Sequence, residues 1–126
     1  MKKIITVGTL ALCLLISGVA SAATWHSSTI TLPRTGSWDT VEREATGSSQ
    51  QTKVLNNEYN VYAKIVLAAN DSDLSDYELH QDKDHSDYGQ VMTHNTNTRV
   101  GDNIKARFKT AWDNYRTTRA LLSWAP

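Results

Sequence analysis

The chain has 126 residues, 13 basic and 13 acidic, with four tryptophans, five tyrosines and a single cysteine. One cysteine excludes an internal disulfide framework and a multi-thiolate metal site. The formal net charge of zero hides a strongly uneven distribution, which disfavours nucleic-acid binding, because a built-in acidic competitor accompanies every basic stretch.

Residues 1–22 have the form of a secretory signal peptide. Lys2 and Lys3 supply a positive start, Ile4 to Val19 an apolar run, and Ala20-Ser21-Ala22 a small-residue cleavage site. The apolar run is short for a membrane span and lacks a stop-transfer flank, so a retained anchor is the weaker reading. Cys13 lies inside that run and is expected to leave with it. Cleavage after Ala22 leaves residues 23–126, the size of one small domain, without cysteine. Export and an extracellular location follow as expectations.

Helix signals are scarce in residues 23–126. Short runs rich in Thr, Val, Ile, Tyr and Trp alternate with turn residues, which predicts an all-β, antiparallel β-sandwich of about seven to nine strands. Thr24 to Leu32 is the first strand, with Ile30 and Leu32 on one face. Pro33-Arg34-Thr35-Gly36 is a turn, and Ser37 to Ala45 is extended. Gln50 to Leu55 runs into Asn56-Asn57, a candidate type I′ hairpin turn, since asparagine tolerates positive φ. Glu58 to Ala69 alternates well enough to be a central strand, with Tyr59, Val61, Ala63, Ile65 and Leu67 on one face. Short strands are expected at Tyr77 to His80 and Gly89 to His94. From Ile104 to Trp112, apolar residues at every second position face Lys105, Arg107 and Lys109 on the other side, a period-two pattern that outweighs helix propensity. Asp113-Asn114 turns the chain into a last strand, Thr118 to Trp124. The expected core contains Ile30, Leu32, Val41, Val61, Ile65, Leu67, Val91, Ile104, Phe108 and Leu122.

The connector from Asp71 to Tyr88 carries seven acids and one lysine, and repeats the pattern D-x-D-x-S-D-Y at Asp71 to Tyr77 and Asp82 to Tyr88. Residues 89–126 carry six basic and two acidic side chains. So many carboxylates must be solvated, paired with a basic surface, or bound to a cation. Oxygen donors at alternate positions suit calcium, so Asp71, Asp73, Asp76, Asp82, Asp84 and Asp87 are candidate ligands. An EF-hand is disfavoured, because its glycine position holds Asp76 and its bidentate glutamate position holds Asp82. His80, Asp82, Asp84, His85 and His94 could ligate a transition metal, although no ordered zinc motif is present. Lys105, Arg107 and Lys109 form a basic ladder with three roles open to it. It could be a solvated strand face, it could contact anionic cell-envelope polymer or lipid headgroups with help from Arg116 and Arg119, or it could receive the acidic connector itself.

The tryptophans invite a carbohydrate-binding reading, but Trp38, Trp112 and Trp124 fall where packing also explains them, leaving Trp25 as the exposed candidate. No nucleophile elbow or ordered triad appears, and Glu42 and Glu44 lack an apolar pocket that would raise a pKa, so no enzyme activity is expected.

Ala23-Thr24-Trp25-His26 at the expected mature start, and Val61-Tyr62-Ala63-Lys64 on the central strand, give an outline that resembles the small secreted β-rich proteins of Gram-positive bacteria. It is also similar to the lactococcin 972-like bacteriocins. The resemblance implies export and a β-sandwich, and carries over no functional residue. The expectation is a small secreted, non-enzymatic bacterial protein that binds at or outside the cell envelope. The alternatives are a bacteriocin-like antimicrobial protein and a calcium-braced carbohydrate-binding module.

Overall fold

The computed structural model describes residues 24–111 and 116–126. The signal segment with its cleavage site, Trp112 and the Asp113-Asn114 turn lie outside them. The described residues form nine strands and no helix. In chain order these are β1 (His26–Leu32), β2 (Trp38–Asp39), β3 (Arg43–Glu44), β4 (Ser49–Leu55), β5 (Val61–Leu67), β6 (Glu78–His80), β7 (Met92–Asn95), β8 (Asn103–Thr110) and β9 (Thr118–Ala125).

Two antiparallel sheets result. The first has the order β1-β9-β4-β7; the second has β2-β8-β5-β6, with β3 also pairing β8. Period-two alternation explains why β8 sits inside its sheet. Ile104, Ala106 and Phe108 are fully buried while Lys105, Arg107 and Lys109 point the other way. Val61, Ala63 and Ile65 of β5 do the same, and Ala120, Leu122 and Trp124 of β9 answer them from the first sheet. One core, including Leu32, Val54, Ile65, Phe108 and Trp124, joins the two sheets. Burying a side chain such as Phe108 stabilises by ~2–3 kcal/mol.

The two sheet orders leave two lateral edges. At one, β1 and the β2–β3 stretch border a common cleft; at the other, β7 lies beside β6. Both edges carry polar chemistry.

Several expectations need correction. Val41 is 73% exposed, because the stretch Ser37 to Ala45 is not one strand. Trp38 pairs with Phe108 and Asp39 with Arg107, but Arg43 pairs with Ile104, so the register slips by one residue between β2 and β3. Thr40 fills the slip. Its N–H donates to the Ala106 carbonyl, and its Oγ1 accepts the Ala106 N–H, each at 3.0 Å. Such a bulge turns the next side chain, Val41, out of the core. Val91 is also exposed, one residue before β7 begins, and Leu67 at the end of β5 is only half-buried.

Asn56-Asn57 does not close a hairpin. β4 pairs with β7 and β9, β5 belongs to the other sheet, and the link crosses between the layers. Only Asn56 has positive φ, 63°. Asn57 is buried, and its Nδ2 donates to the Tyr59 and Gln81 carbonyls, fixing the crossing.

Candidate functional site

The acidic connector lies over the outer face of the second sheet. Asp71 has φ 60°, a left-handed conformation that aspartate tolerates, and reverses the chain after β5. The returning segment pairs Asp73 with Val66, and the Leu74 N–H donates to the Ile65 carbonyl. This is why Val66, on the outward side of β5, is as buried as the inner residues.

The first acidic repeat thereby meets the basic ladder. Asp71 Oδ1 is 3.0 Å from Lys105 Nζ and 3.4 Å from Arg107 Nη2. Asp73 is 2.7 Å from Lys64 Nζ. Asp39 joins from β2: Arg107 donates from Nε to Oδ1 at 2.7 Å and from Nη2 to Oδ2 at 2.9 Å, while Lys105 lies 3.2 Å from Oδ2. The Arg107 hydrogen bonds hold the Asp39 carboxyl below its usual range, and Asp71 and Asp39 raise the Lys105 ammonium. Tyr77 closes the patch, with Lys64 and Lys109 at 4.4 and 4.7 Å from its ring centre and Tyr62 edge-on.

The second repeat does something else. Asp82 Oδ1 accepts the Asp84 N–H and bonds His85 Nδ1 at 2.7 Å, which lowers the Asp82 pKa and raises that of His85. Tyr88 reaches back to hydrogen-bond Asn56. Identical sequence patterns therefore have different roles. Among the described residues, no group of three or more His, Cys, Asp or Glu side chains is placed to hold a metal ion. Asp71 and Asp73 instead face cationic side chains of their own sheet, and Lys105 and Arg107 are engaged with Asp39 and Asp71.

At the β6–β7 edge, His80 and His94 converge on one oxygen. Thr52 Oγ1 of β4 lies 2.8 Å from His80 Nε2 and 2.7 Å from His94 Nε2. All three residues are buried. A backbone hydrogen bond from Gln90 favours the protonated form of His80, so Gln90 offers its carbonyl and the imidazole donates. Thr52 has one proton, so its hydroxyl donates to one ring and accepts from the other. His94 Nδ1 lies 3.4 Å from Ser75 Oγ, which itself donates to the Asp76 carbonyl. Burial, together with the neighbouring His94, pushes His80 down to about 4, and burial pushes His94 to about 4. An open cleft of about 420 Å³ lies outside this cluster, lined by His94, Ser75, Asp73, Asp76 and Glu78.

The opposite edge is built differently. Between β1 and the β2–β3 bulge runs a cleft of about 310 Å³. Three tryptophans line it. Trp124 is buried at its base, Trp38 is half-buried against Phe108 with ring centres 6.3 Å apart, and Trp25 is 37% exposed. Ser28, Thr40, His26 and Arg43 add polar groups. Among the described residues, no carboxylate side chain lines this cleft. His26 is held below its usual pKa by burial and by the nearby Arg43 guanidinium.

The chain matches no family model, no curated protein and no solved structure. Function therefore has to be argued from this geometry. Sequence reasoning singled out Trp25, the most exposed of the described tryptophans, and raised pairing between connector and ladder. It missed the cleft, because positions 25, 38 and 124 become neighbours only through the sheet order.

Proposed function

We propose that this chain is an exported, non-enzymatic protein that acts at or outside the cell envelope by binding, and that the tryptophan cleft is its binding site. The observation that carries this reading is the meeting of Trp25, Trp38 and Trp124 with the polar groups of His26, Ser28, Thr40 and Arg43 at one open edge of the sandwich. Ligand sites are concave, largely apolar or aromatic, and carry a few convergent polar groups. The other two polar features have partners within the fold: Lys105 and Arg107 have Asp39 and Asp71, Lys109 lies over Tyr77, and the imidazoles meet Thr52. The signal-peptide pattern at residues 1–22 supports an extracellular setting.

Co-sedimentation with isolated, insoluble cell-envelope polymer tests the reading. Retention of the purified chain, lost with Trp25→Ala, supports it. No depletion from the supernatant, combined with growth inhibition of neighbouring strains, would replace it with an antimicrobial role.

A further inference from the structure

We infer that the tryptophan cleft recognises a saccharide bearing a carboxylate. This deepens the binding reading and rests on it. Three features of the cleft set the chemistry. Indole surface at its base and wall offers a flat apolar face, which suits the C–H face of a pyranose ring. Hydroxyls at Ser28 and Thr40 lie beside that surface, and Thr40 Oγ1 already accepts the Ala106 N–H, so its own proton is free to be donated to a ligand oxygen. The volume of about 310 Å³ matches a short saccharide unit and falls at the small end of small-molecule sites.

Charge decides between a neutral and an anionic sugar. Arg43 forms no ion pair with any described residue, and its nearest titratable neighbour in the cleft is another base, His26. On the outer face of the second sheet, by contrast, Arg107 is double-bonded to Asp39 and Lys105 is shared between Asp39 and Asp71. The Arg43 guanidinium lines the same cleft as the indole surface, and its planar fork matches a carboxylate in two-point contact. The one-residue register slip between β2 and β3 sits directly next to Arg43, and bulges re-aim side chains in this way at functional sites. The acidic connector lies on a different face, so among the described residues a negative ligand meets no competing carboxylate in the cleft.

Isothermal titration with oligogalacturonate, and with its methyl ester as the uncharged twin, tests the inference on the purified chain. The acid form is expected to bind with quenching of tryptophan fluorescence. Esterification, Arg43→Gln or Trp25→Ala should each weaken it by about tenfold or more, and Arg43→Lys should restore only part of the loss. Arg43 and Trp25 are exposed, so unchanged melting temperatures will show that the variants fold. Equal affinity for acid and ester, an unaltered affinity in Arg43→Gln, or no binding of either would overturn it. If the chain still co-sediments with envelope polymer through Trp25 in those cases, only the ligand class is wrong and the binding site stands.

Discussion

His80 and His94 belong to edge strands of opposite sheets, and both bond the same atom, Thr52 Oγ1, at 2.8 and 2.7 Å. The hydroxyl donates to one ring and accepts from the other, which ties the layers together at that edge. The opposite edge, with no such tie, stays open as the tryptophan cleft.

Acid should undo this tie. Both imidazoles are held near pKa 4 in the folded chain, against 6.5 when unfolded. Between these values the unfolded chain binds more protons, so stability is complete above pH 6.5 and declines as pH falls towards 4. The loss is on the order of 3 kcal/mol for each imidazole. His85 has the opposite sign, its pKa being raised by Asp82, but it is fully exposed and contributes little. Urea midpoints across pH 4 to 7 check this; a flat profile would contradict the network.

Thr52→Val keeps the shape and removes the shared oxygen. Two buried imidazole nitrogens then lose their partner, at a cost of ~1–3 kcal/mol. Thermal melts at neutral pH should show this loss, with Val41→Thr, at an exposed position, staying within ~0.5 kcal/mol of the parent.

The two-point pair between Arg107 and Asp39 is partly shielded, with side chains 19% and 25% exposed. Asp39→Asn should destabilise by about 1 kcal/mol, and Asp71→Asn by less, since Asp71 is 55% exposed. Added salt should narrow the difference between parent and Asp39→Asn, because screening weakens what the variant lacks. A salt-independent difference would mean that packing, not charge, dominates.

Calcium offers a separate check on the connector. Asp71 and Asp73 already face Lys105, Arg107 and Lys64. Calorimetric titration with calcium chloride should therefore give no stoichiometric heat in the micromolar range. A saturating heat there, abolished by Asp71→Asn, would show that the ion displaces the lysines.

Residues whose partners follow from periodicity were the legible ones. The alternation from Ile104 to Phe108 identified a half-buried strand, and Leu32, Val61, Ile65 and Leu122 fell in the core as their spacing implied. Val41 did not, because a one-residue bulge leaves no mark in a short polar stretch. Asn56-Asn57 was misread because the same turn chemistry serves a hairpin and a crossing between sheets. The connector's complement at Lys105 and Arg107 was visible as charge, but the contribution of Asp39 was not, since its partner lies 68 positions away. Likewise His80 and His94 suggested metal ligands until strand order set Thr52 between them.

The central claim is that ligand enters at the tryptophan edge. Two-dimensional amide and indole NMR of the chain, titrated with soluble envelope saccharide, measures this directly. The predicted result is shift changes at the Trp25 and Trp38 indoles, Thr40 and Arg43, with Lys105, Arg107 and His94 unmoved. Changes centred on Lys105 and Arg107, or on the cleft beside His94, would contradict it.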